Sequence, residues 1–93
     1  MNNELKTRIS EAAEALKAAG VLEVYLFGST ANGDVHESSD VDMAVTGLPP
    51  EKFYKAMSIA RRILRKPLDL VDLDESNPFT RTLKEEGPLQ HVG

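Results

Sequence analysis

The chain has no cysteine. Disulfide scaffolds, thiolate zinc sites and thiol nucleophiles are thereby excluded, and the composition fits a reducing compartment. Histidine is almost as scarce, with only His36 and His91, so a histidine-rich zinc site is not expected. No apolar run approaches the ~18 residues of a membrane span. The opening Met1-Asn2-Asn3-Glu4 lacks the pattern of a secretory signal. Together these absences predict a cytoplasmic protein with no membrane association. Internal repeats are also missing, and 93 residues leave room for one small domain, residues 1–93, with a thin core.

Charge is the next thing in short supply on one side. The balance is 11 Lys and Arg against 15 Asp and Glu, a net charge of −4. A bulk electrostatic grip on nucleic acid is therefore not expected. The charges are segregated, however. Six basic residues fall between Lys52 and Lys66, while acids gather at 34–42 and 69–75. Such segregation points to a site.

Periodicity supplies the fold class. Leu5, Ile9, Ala12, Leu16 and Ala19 recur at helical spacing, so 4–19 is a predicted helix with Asn2 or Asn3 as its cap and Gly20 just past its end. The nearly continuous apolar run 21–27 predicts a strand covered on both faces. A Gly, Ser, Asn and Asp-rich loop follows at 28–39, with one helical turn at 29–32. Residues 40–46 alternate: Val41, Met43 and Val45 share one face, and Asp40, Asp42 and Ala44 the other. Phe53, Ala56, Met57, Ala60, Ile63 and Leu64 form one stripe of a helix over 51–66, stopped by Pro67. A third strand is expected at 68–73, with Asp69, Val71 and Leu73 on one face. A last helix, capped by Asn77-Pro78, runs to about Glu86, and 89–93 form a tail. The expected architecture is α/β, a three-stranded mixed sheet flanked by about four helices.

The chemistry sits in Gly28-Ser29, ten residues, then Asp40-Val41-Asp42. Alone, Gly-Ser reads as a turn and the two acids as an exposed strand face. Together they say more. Two aspartates at i and i+2 on a strand project from one face, and such like charges near a core call for a neutralising cation. Mg²⁺ suits them, because it takes carboxylates plus substrate phosphates. Asp69 is the candidate third carboxylate, with Asp72 as the alternative. Gly28 and Ser29, after a strand, offer backbone N–H groups and a hydroxyl to a phosphate. Phosphate ligands on one strand and metal-binding acids on the next suit phosphoryl or nucleotidyl transfer.

At these residues the sequence resembles a known family. Leu26-Phe27-Gly28-Ser29-Thr30-Ala31-Asn32-Gly33 and Ser39-Asp40-Val41-Asp42 are similar to the signature of the minimal nucleotidyltransferases, within the DNA polymerase beta-like nucleotidyltransferase superfamily. Leu68-Asp69-Leu70-Val71 resembles the strand carrying that family's third Asp, and Glu86-Gly87 with an apolar tail resembles its C-terminal ending. The resemblance implies two Mg²⁺ ions held by Asp40, Asp42 and Asp69, and a nucleoside triphosphate held by Gly28 and Ser29. It implies transfer of AMP from ATP to a hydroxyl acceptor. Many members are antitoxins that pair with a HEPN-domain toxin, and some adenylylate a tyrosine of it. A second implied role is a catalytically weak module that neutralises its partner by occlusion; a third is transfer to RNA or a small molecule. Whether the chain forms homo- or hetero-oligomers is left open. The family often carries Arg near the positions of Thr30 and Asn32, and neither is basic here. Arg62, Arg65 and Lys66 are the candidates to stand in.

Overall fold

The computed structural model describes residues 2–35, 39–87 and 89–92. The first helix, α1, spans Asn3–Ala18. Asn2 caps it by accepting from the Leu5 N–H at 2.8 Å. It closes as a paired C-terminal motif: Gly20 donates to Lys17 O at 3.0 Å and Val21 to Leu16 O at 3.1 Å. Gly20 sits at φ +115°, which is why glycine suits that position.

Strand β1 is Glu23–Leu26, followed at once by a single turn of helix, α2, at Gly28–Ala31. The expected turn at 29–32 is thus present. Strand β2 is Val41–Thr46. A 3-10 turn at Pro50–Lys52 leads into α3, Phe53–Leu64. This helix ends two residues short of the expected Lys66. Arg65 takes a left-handed conformation (φ +57°) and donates to Arg61 O at 2.9 Å. The residue before a proline avoids the helical region, so Pro67 acts from a distance of two positions. Strand β3 is Leu68–Asp72 and α4 is Pro78–Glu85. Asn77 and Thr80 form a reciprocal capping box at the start of α4.

The sheet corrects the expected strand count. Among the described residues it has four strands, in the order β3-β2-β1-β4, not three. The fourth, β4, is Gln90–Val92, antiparallel to β1. Three residues are too few to show a period, so this strand arises only because β1 has a free edge to pair. His91 fastens it there, pairing with the Glu23 carboxylate and packing edge-on against Tyr25 at 5.3 Å between ring centroids. Strand β2 pairs with β1 antiparallel and with β3 parallel, so the sheet is mixed, as expected.

Alternation divides the core between the two sheet faces. Val24, Leu26, Val41, Met43 and Val45 pack under α1 and α3 with Leu16, Ala60 and Leu64. The opposite face carries a smaller cluster, Phe27, Ala44, Leu73 and Leu83, under α4. Strand β1 is therefore covered on both faces. Leu64 is fully buried in the larger cluster. Leu64→Ala should lower unfolding free energy by about 2–5 kcal/mol, read as a shifted urea midpoint.

Candidate active site

The site begins where β1 ends. Gly28 has φ +57°, and a Cβ built on it would lie 2.9 Å from Asp42 Oδ2. Glycine is needed there on both counts, for the backbone and for the space. The Asp42 backbone is pinned at the same spot. Phe27 N–H donates to Asp42 O at 3.2 Å, and Asp42 N–H donates to Thr30 Oγ1 at 2.9 Å. Thr30 is buried, at 1% exposure. Its hydroxyl therefore holds the loop after β1 onto β2. Sequence reasoning had no means of seeing this bond, which joins residues twelve apart through the fold.

Val41 and Met43 point into the core under α1 and α3. Asp42, between them, projects from the opposite face. Its register partner on β3 is Asp69. Paired strands lie about 4.8 Å apart, and partners in register share a face, so the two carboxyl groups are neighbours. Asp42 is half-buried, while Asp69 and Asp40 are exposed. Burial first, then repulsion from Asp69 and from Asp40, holds the Asp42 carboxyl above its usual value. The three predicted carboxylates are thus electrostatically coupled, and Gly28 abuts the central one. Ser29 lies exposed beside it.

Asp72 separates from this group. It is in register with Val45, and its Oδ1 accepts from Asp74 N–H at 2.9 Å in the following turn. Of the two alternatives for a third carboxylate, Asp69 is the one in register with Asp42. Of the basic candidates, Arg62 and Arg65 are exposed on and just after α3, which covers the other face of the sheet, whereas Lys66 adjoins Pro67, whose carbonyl accepts from Val41 N–H at 3.0 Å next to Asp40. His36 lies outside the described residues.

Among the described residues, no group of three or more His, Asp or Glu side chains is arranged to hold a metal ion by itself. The donor chemistry still suits a hard cation. Asp42 is a carboxyl made costly to ionise by burial and by two like charges, and a cation would relieve both repulsions. A row of carboxylates on an open strand face matches Mg²⁺, which takes few protein ligands and shares the rest with phosphate and water.

Two outcomes follow from this geometry. The raised pKa means that the folded protein binds the Asp42 proton more tightly than the unfolded chain does. Stability from this group is therefore lost as pH rises through the raised value. In metal-free buffer, Asp42→Asn should stabilise the fold at neutral pH by about 1 kcal/mol or less, given solvent screening. The gain should vanish below the ordinary carboxylate value of 3.8, as paired thermal melts across pH would show. Gly28→Ala should cost about 1 kcal/mol or more, because its φ is positive and its methyl meets Asp42. Urea titration checks that.

The chain matches the family model of the polymerase beta nucleotidyltransferases over residues 9–89. No curated protein matches it in sequence. Its fold is similar to that of a minimal nucleotidyltransferase, at TM-score 0.74 and 22% identity, covering 90% of each chain. It is also similar to a chain of a toxin–antitoxin complex solved with AMP-PNP, at TM-score 0.69 and 26% identity, covering 95% of this chain and 72% of that one. A third similar structure is a variant of the toxin–antitoxin pair MntA–HepT, at TM-score 0.68 and 23% identity, with coverage of 95% and 72%. With most of its length inside the family model, and with a matching fold, the chain belongs to the polymerase beta nucleotidyltransferase family.

Proposed function

We propose that residues 1–93 form a minimal nucleotidyltransferase that moves AMP from ATP to a hydroxyl of a HEPN-type toxin, and so acts as an antitoxin. The observation that carries this reading is the register of Asp42 against Asp69, with Asp40 two residues away and Gly28 directly against Asp42. The toxin–antitoxin complex with AMP-PNP supports the nucleotide and the partner class. The MntA–HepT variant replaces two aspartates two positions apart by glutamate. Asp40 and Asp42 have that same spacing.

In this reading Asp40, Asp42 and Asp69 would hold two Mg²⁺ ions. When bound, the metal neutralises charge growing on the phosphates and makes the acceptor hydroxyl more acidic. Gly28, having no side chain, lets the triphosphate approach the backbone, and the Ser29 hydroxyl donates to a phosphate oxygen. Asp69 accepts the proton of the acceptor hydroxyl. The hydroxyl oxygen bonds to the α-phosphorus as the bond from that phosphorus to the bridging oxygen breaks. Pyrophosphate leaves, and AMP stays on the acceptor.

One observation favours a second reading, neutralisation by occlusion. Thr30 and Asn32, at positions near which the family often carries Arg, are both uncharged. The test separates the two. Purified protein, its genomic neighbour, Mg²⁺ and α-³²P-ATP are combined. Label on the neighbour is expected, and Asp42→Ala should reduce it by about 100-fold or more. If the neighbour is neutralised without label, and Asp42→Ala neutralises it equally well, occlusion is the mechanism.

A further inference from the structure

Among the described residues, three large apolar side chains are exposed: Leu22, Tyr54 and Phe79. Leu22 precedes β1 and Tyr54 opens α3, away from the carboxylates. Phe79 is different. It lies in the first turn of α4, 51% exposed, with its ring edge-on to Phe27 at 6.1 Å between centroids.

Phe27 connects Phe79 to the site. Its N–H donates to Asp42 O, so Phe27 and Asp42 are cross-strand neighbours. Phe27 packs with Ala44, and Asp42 alternates to that same face. A single row therefore crosses the sheet on the α4 face: Asp69 on β3, Asp42 on β2, Phe27 at the end of β1. Gly28 is the next residue after Phe27. Phe79 packs on Phe27, at the end of this row opposite Asp69.

We infer that Phe79 is the stacking platform for the nucleobase of the bound nucleoside triphosphate. The inference rests on the nucleotide-binding reading of Gly28 and Asp42. The observations converge on it. The ring is half open to solvent and packs in a T-shaped pair against buried Phe27. Stacking on an aromatic face is tolerant of base identity. Phe79 thus supplies affinity for a nucleotide over bare polyphosphate, and little choice between ATP and GTP.

The experiment compares Mg-ATP with Mg-tripolyphosphate, binding each to the full chain by calorimetry. Phe79→Ala should weaken ATP by about tenfold and leave tripolyphosphate unchanged. Phe79→Leu keeps the apolar packing and should lose ATP affinity equally, whereas Phe79→Tyr should retain it. The chain has no tryptophan, so Phe79→Trp gives a single reporter. Its fluorescence should be quenched by ATP and not by tripolyphosphate. Unchanged ATP affinity in the Ala and Leu variants overturns the inference, as does equal weakening of both ligands. Wild type that binds tripolyphosphate but gains nothing from the nucleoside overturns the platform alone. Wild type that binds neither overturns the nucleotide reading, and the platform with it.

Discussion

The structure is organised around a carboxyl group that water would rather keep. Asp42 occupies an inner strand, half-buried, with Asp69 in register beside it and Asp40 close by. Desolvation and two like charges all oppose its ionisation. It stays in place because its strand has no alternative. Val41, Met43 and Val45 are fully buried on the opposite face, and a slip of one residue would drive Asp42 and Ala44 into that core. Backbone bonds from Phe27 and to Thr30 then fix the residue itself.

The two sheet faces divide the work that follows from this constraint. The face under α1 and α3 holds the larger core. It carries the stability that lets the other face tolerate charge. There α4 is short, eight residues, and its Leu83 covers Phe27, Ala44 and Leu73. The row from Asp69 through Asp42 lies at the strand ends beyond this cluster. A small sheet with one face incompletely covered has room for a substrate without a separate cleft. At the β1 end, the second face is bordered by Gly28 and α2 and by the aromatic pair Phe27–Phe79.

How much of this was legible beforehand depends on how local each feature is. The helix caps at Asn2 and Asn77 were readable, because a cap is a bond between residues three apart. The face that carries Asp42, opposite Val41 and Met43, was readable from alternation alone. The need for glycine at position 28 was readable in kind, as a close approach, but not in its object, the Asp42 carboxylate. The end of α3 was misplaced by two residues, since Arg65 adopts a conformation that its side chain does not announce. The strand at 90–92 was missed, because it owes its existence to the free edge of β1 and not to any pattern of its own.

By itself, then, the sequence determined the type of every element but β4, the absence of thiol chemistry, and the pairing of a Gly-Ser turn with Asp40 and Asp42. Those rest on composition, on periods of two and 3.6 residues, and on contacts within a turn. The tertiary structure decided which residues meet. Parallel pairing of β2 with β3 brought Asp69 rather than Asp72 to Asp42. Folding of the loop after β1 set the Thr30 hydroxyl under the Asp42 N–H and brought Phe79 onto Phe27. Register between strands that are distant in sequence is a property of the whole packed core, so no local pattern could have specified it.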